Sequence, residues 1–107
     1  MGVALETKNV YEFEVKTDIL FFKVGAHHQV SFHGRHYHIK KRMSAEQLGK
    51  LIEESGFVKV KSDCYVNVAK VAEIGDDHLY FGSKRDDCKS IPLSRRKQQL
   101  VRSMMPG

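Results

Sequence analysis

Five of the chain's six histidines fall between His27 and His38, inside the stretch AHHQVSFHGRHYHIKKR (26–42). Imidazoles packed this closely suit three kinds of chemistry: ligating a metal, titrating near neutrality, or hydrogen-bonding a polar partner. His36 and His38 stand two residues apart and, on a strand, would project from one face, where a metal could engage both. A zinc site needs three or four converging ligands, however, and neither Cys64 nor Cys88 has ligand spacing to these histidines. His27 and His28, in a loop ahead of QVSF, instead suit donation to base edges or phosphates.

Two further groups carry charge at places where charge is informative. Ser94, Arg95, Arg96 and Lys97 occupy the predicted opening turn of a terminal helix. Cations there oppose the helix macrodipole at a cost of about 0.3–1 kcal/mol each, a conflict that an anion at the free N–H groups would relieve. A phosphate fits that position, and an arginine there could also read guanine in a major groove. In VKVKSDCYVN (58–67), Lys59 and Lys61 share the outward face of a strand that ends at Ser62. That strand end offers phosphate contacts from the lysines and a base-edge contact from the hydroxyl. Asp63 would repel phosphate, and Asn67 is expected to be a buried amide bonded to backbone.

Composition narrows the partner. The net charge is +5, but residues 1–18 hold Glu6, Glu12, Glu14 and Asp18 against Lys8 and Lys16, leaving +7 on residues 19–107. A basic body of this kind suits a polyanion, because each cation near a phosphate releases condensed counterions. At 107 residues, with 41% hydrophobic and 29% charged, the chain has the composition of one globular domain. No apolar run is long enough to span a bilayer, and the opening lacks the pattern of a secretory signal, so the expected compartment is the cytoplasm. The two cysteines read as reduced, partly buried thiols. Paired carboxylates, a Ser-His-Asp order and a phosphate-cradling glycine loop are missing from the sequence, which argues against an enzyme and leaves no expected cofactor.

These groups must be positioned by short, period-two elements. Strands are predicted over VYEFEVK (10–16), ILFFKV (19–24), QVSFH (29–33), YHIKK (37–41), FVKVK (57–61), YVNV, KVAEI, HLYFG (78–82) and CKSIPL, with Gly34-Arg35 as a hairpin turn. Gly75-Asp76-Asp77 reads as a turn, SKRDD (83–87) as a polar loop, and Pro92 marks an edge strand. One central helix is predicted from the capping box Ser44/Gln47 to Gly56, with Leu48, Leu51 and Ile52 on its apolar face. A second follows Ser94, with Leu100, Val101 and Met104 at helical spacing.

The order DILFFKV, polar loop, hairpin, short helix, FVKVKSDCYVN, KVAEI, LYF and IPLSRRKQQL resembles the LytTR-type DNA-binding domains of bacterial transcription regulators. The resemblance covers about residues 10–104, leaving 1–9 as a leading segment and 105–107 as a tail. Its most specific pieces are FVKVKSDCYVN and PLSRR. It implies a mainly β domain of small antiparallel sheets, about ten short strands, with one short central helix and a C-terminal helical segment. It also implies sequence-specific binding of promoter repeats in double-stranded DNA through loops. Carried over, the base contacts are His27, His28 and Gln29, then Lys61 and Ser62, then Ser94, Arg95 and Arg96; Lys59 and Lys97 join them from the charge argument. The family favours His-Arg-Ser where this chain has Lys61-Ser62-Asp63. The resemblance further implies a phosphorylatable receiver domain upstream, so that the chain is a free-standing regulator or the effector domain of a two-component response regulator. Pairing of copies on DNA is left open. Two other readings stay in view: a small metal-binding or metal-sensing β domain using the 27–38 histidines, and an RNA or single-strand binder using Phe32, Tyr37, Tyr65 or Tyr80, although these aromatics suit core positions better.

Overall fold

Adjacent phenylalanines on one strand must point to opposite faces of its sheet, and Phe21-Phe22 sets the layering of the molecule in this way. In the computed structural model, which describes residues 14–75, 77–82 and 88–105, β1 (Phe21–Val24) is the central strand of a five-stranded antiparallel sheet. Phe22, fully buried, joins Ile19, Val30, Phe32, Met43, Leu51 and Phe57 on one side. Phe21 joins Val60, Cys64, Val66, Leu79, Phe81, Ile91 and Val101 on the other. Burying one such side chain contributes about 1.5–3 kcal/mol.

The strands around β1 follow from local pattern. β2 (Gln29–His33) and β3 (His38–Arg42) form the expected hairpin, with Gln29 opposite Arg42 and His33 opposite His38. β4 (Val58–Lys61) and β5 (Cys64–Val66) form a second, tighter one. β5 pairs with β1, which gives the order β3-β2-β1-β5-β4. A smaller sheet of β6 (Glu73–Gly75), β7 (His78–Tyr80) and β8 (Ser90–Pro92) supplies Leu79 and Ile91 to the Phe21 side. Pro92 lies on β8, at the edge of that sheet, where its missing N–H costs least.

Three α-helices, α1 (Val15–Asp18), α2 (Ala45–Ser55) and α3 (Arg95–Met104), and two short 3-10 turns, Ala26–His28 and Val68–Lys70, complete the described residues. α2 has the full capping box, with Ser44 Oγ accepting from the Gln47 N–H and the Gln47 side chain accepting from the Ser44 N–H. It ends at Gly56, whose φ of 70° is the left-handed geometry that glycine tolerates. Its Leu51, with Leu48 and Ile52 partly buried, packs onto the Phe22 side.

Two expectations are overturned. The strand predicted over 10–16 is helical from Val15 to Asp18, and residues 10–13 lie outside the described residues. Local and remote bonds hold this single turn: the Glu14 N–H donates to the Asp18 carboxylate at 2.9 Å, and the Asn67 side chain donates to the Lys16 and Ile19 carbonyls, each at 2.9 Å. On α3, Leu100 and Met104 are 37% and 55% exposed instead of forming the buried face with Val101. The inward stripe is Gln98, Val101 and Met105, because the Gln98 amide donates to the Leu93 carbonyl at 2.9 Å and turns that side inward. Among the described residues there are eight strands, and the loop predicted at 83–87 lies outside them, as does Asp76 of the 75–77 turn. No helix among the described residues is long and apolar enough to cross a membrane.

Candidate nucleic-acid interface

The loop after β1 is held in an uncommon backbone geometry. Ala26–His28 makes one tight turn in which His27 and His28 have φ of 57° and 59°. Each L-residue in that region costs about 1–2 kcal/mol, so the surrounding structure must hold them there. It does so at both ends. The Gly25 N–H donates to the Gln29 carbonyl at 2.7 Å, and the Met43 N–H donates to the His28 carbonyl at 3.0 Å. His27, His28 and Gln29 are all exposed.

The β4–β5 turn lies beside it. Lys61 and Cys64 are register partners flanking Ser62-Asp63, and a bulge between Lys59 and Lys61 accommodates the buried Val60. Lys59, Lys61 and Ser62 are exposed. The Asp63 carbonyl accepts from the Val24 N–H at 2.8 Å, extending the β1–β5 ladder past Lys23 and Cys64. Two groups some 35 residues apart in sequence thus meet at one end of the large sheet, which is what rigid positioning of contact loops requires.

The third group sits on a helix mounted on the same edge strand. Ser94 Oγ accepts from the Lys97 N–H at 3.4 Å, capping α3, while Arg95, Arg96 and Lys97 all stand exposed in a first turn without an acidic residue. Val101 packs in one cluster with Val60 of β4, the strand that carries Lys59 and Lys61. The Gln98 amide fixes the start of the helix against Leu93. All ten predicted contact residues are solvent-facing, and the first two groups lie at the same end of the large sheet, tied through Val24 and Asp63.

The histidines divide. His36 lies in the hairpin turn and β3 begins at His38, so the two do not share a strand face. His33 and His38 are the register partners instead, with rings stacked at 5.4 Å, and Phe21 stacks on the other side of His33 at 4.4 Å. Burial, then the charges of Lys89, His38 and Lys23, lower the His33 pKa from 6.5 to about 4. Among the described residues no group of three or more His, Cys, Asp or Glu is arranged to hold a metal ion. Cys64 is buried and its thiol is pushed up to about 11, chiefly by burial; Cys88 is partly buried and free.

Of the aromatics, Phe32 is buried and Tyr65 stacks on Phe22 at 5.0 Å. Tyr37 is 40% exposed, but its ring fills the space that a β-carbon at Gly34 would need. It packs on its own hairpin. Sequence reasoning missed Arg42, which stands exposed directly opposite Gln29. Counting outward from a two-residue Gly34-Arg35 turn would pair Gln29 with Lys40; the observed turn spans residues 34–37, and this shifts the register to Arg42.

A comparison with protein families matches residues 10–105 to the LytTr DNA-binding domain. The chain belongs to the LytTR family. A search of curated proteins gives no match. Among solved structures, the fold is similar to the LytTr DNA-binding domain of a Bacillus cereus protein described as a methyl-accepting/DNA response regulator. The TM-score is 0.53 at 11% sequence identity, over 83% of this chain and 82% of that one. At that identity the likeness concerns the fold, and it agrees with a mainly β LytTR domain of two antiparallel sheets with few helices.

Proposed function

We propose that this LytTR domain binds double-stranded DNA sequence-specifically, as the effector domain of a bacterial response regulator acting in the cytoplasm and without catalysis of its own. The observation that carries this reading is the meeting of His27-His28-Gln29 with Lys61-Ser62 at one sheet end, joined through Val24 and Asp63. Those side chains, with Ser94, Arg95 and Arg96 at the start of α3, read base edges; Lys59 and Lys97 hold phosphates. The domain spans residues 10–104, and a receiver domain upstream in the full-length regulator supplies the signal. Promoter repeats are the expected target, one copy to each repeat.

Selection of the chain against a pool of random-sequence duplexes tests the proposal. The expected result is enrichment of one sequence, whose affinity exceeds that for random duplex by at least about 10³-fold at physiological salt. A pool that stays random, or preference for single strands of the same sequences, would overturn it.

A further inference from the structure

The large sheet has a second basic surface that the contact loops do not include. Directly paired residues on antiparallel strands point to the same face. The registers of β1, β2 and β3 therefore place three rows on one face: Gln29 with Arg42, then Lys23 with Ser31 and Lys40, then Phe21 with His33 and His38. The face is the one to which Phe21 and Cys64 point; the smaller sheet and α3 pack over Phe21 and β5, and Lys89, just before β8, reaches the hairpin at Tyr37 beside the half-buried His33. Lys23, Gln29, His38, Lys40 and Arg42 are exposed. Lys23 Nζ lies 5.9 Å from the centre of the Phe21 ring, so its side chain leans along this face.

No carboxylate occupies any of the three rows. The nearest in register is Asp63, one residue beyond Cys64, the partner of Lys23 on β5. Successive rows are about 6.6 Å apart and successive strands about 4.8 Å, so the three cations cover a patch of roughly 7 by 10 Å. That patch begins at Gln29, inside the contact loop, and runs away from it. Among the described residues these like charges have no carboxylate beside them in register; they repel one another, and a polyanion resting on them removes the repulsion. Peptide carboxylates would need a matching spacing, whereas a duplex already engaged by Gln29 carries its phosphates onto the neighbouring row.

We propose that Lys23, Lys40 and Arg42 form a backbone-binding face that holds phosphates of the same duplex whose bases the loops contact. This rests on the DNA-binding reading above. It extends the interface along the sheet, adding affinity without adding sequence preference.

The test uses the full chain and a random-sequence duplex of about 30 base pairs, roughly three helical turns. Two triple variants are compared with the parent: K23Q/K40Q/R42Q on the face, and K16Q/K50Q/K70Q elsewhere, which removes the same charge. Circular dichroism and thermal melting establish that both are folded. The face variant should flatten the plot of log affinity against log salt by about 2–3, at roughly 0.9 for each phosphate no longer neutralised. The control variant should change it by less than about 1. Equal changes in the two would show a generic charge effect and overturn the face, as would an unchanged slope in the face variant. If the parent chain itself fails to bind duplex, the DNA-binding reading fails first, and the two failures are told apart by that measurement.

Discussion

The two ends of the β1–β5 ladder are built from the same pair of strands and put polar groups to opposite uses. At one end, Asn67 is 7% exposed; its side chain donates to the Lys16 and Ile19 carbonyls and its backbone N–H donates to the Leu20 carbonyl. Both side-chain N–H groups are satisfied by protein. At the other end, the tie between strands is made by backbone alone, Val24 to Asp63, and His27, His28, Lys61 and Ser62 are left exposed around it. The first end is a seam that closes the core. The second is a rigid frame that presents donors outward. Polarity in the sequence does not separate these roles; what does is whether the hydrogen-bonding capacity of the side chain is used up inside the fold.

The sharpest way to break this contrast is at Asn67. Asn67→Ala leaves the Lys16 and Ile19 carbonyls without their donor and should destabilise the domain by about 2–3 kcal/mol in urea unfolding. At temperatures where the variant remains folded, its affinity for the selected duplex should match the parent's. A large loss of binding by the folded variant would mean that the two ends do not act separately.

The opposite pattern is expected at the start of α3. Arg95→Ala and Arg96→Ala should leave unfolding within about 0.5 kcal/mol of the parent. For the arginine that reads a base, specific binding should weaken by about 1–3 kcal/mol, with relaxed preference at one position of the site. Unchanged affinity in both variants would remove this group from the interface.

How much of this was legible in the sequence depends on the range of the interactions. The capping box at Ser44/Gln47, the Gly56 stop and the β2–β3 hairpin follow from neighbours, and the pattern shows them; the single outward face expected for Lys59 and Lys61 does not form, because the bulge at Val60 sets Lys59 opposite Tyr65 and Lys61 opposite Cys64, on different faces. Asn67 was readable as a buried amide, but not its partners, which are about 50 residues away. Those bonds to Asn67 help to hold the helical turn of Val15–Asp18, which the alternation in VYEFEVK does not show. Gln98 hid the true inner stripe of α3 because a buried amide reads as a surface residue. The placement of loop 26–28 beside turn 62–63 needs the non-local β1–β5 pairing, and the left-handed backbone of two histidines has no composition signal at all.

That strained loop offers a finer test of the comparison, because stability and binding should move in opposite directions there. Glycine at a left-handed position relieves about 1–2 kcal/mol of strain and gives back about 0.5–1 kcal/mol through the greater freedom of the unfolded chain. His27→Gly should therefore raise unfolding stability by about 0.5 kcal/mol and weaken DNA binding. Equal affinity in the stabilised variant would show that the side chain contributes nothing at the interface. Lys59→Ala is milder still: it should weaken selected and random duplexes alike and flatten the salt dependence by about 0.9. A loss confined to one base of the site would contradict a phosphate role.

The smallest effect lies at His33, whose ring is stacked between Phe21 of the core and His38 of the basic face. Its pKa falls from 6.5 to about 4 through burial and then through Lys89, His38 and Lys23, so the folded domain holds it neutral where an unfolded chain would protonate it. Its contribution to stability is therefore fully present above about pH 6.5 and is lost as pH falls toward 4, a modest loss because the imidazole is only partly removed from water. Bound duplex changes the second cause and not the first. Phosphates laid over Lys23, His38 and Lys40 would cancel part of the positive field, while the burial of the ring stays as it is. The His33 titration followed by NMR should consequently move upward on binding DNA, with the share owed to His38 and Lys23 reduced and the shares of burial and Lys89 retained. An unmoved titration in the complex would place the duplex on the loops alone and leave the sheet face bare.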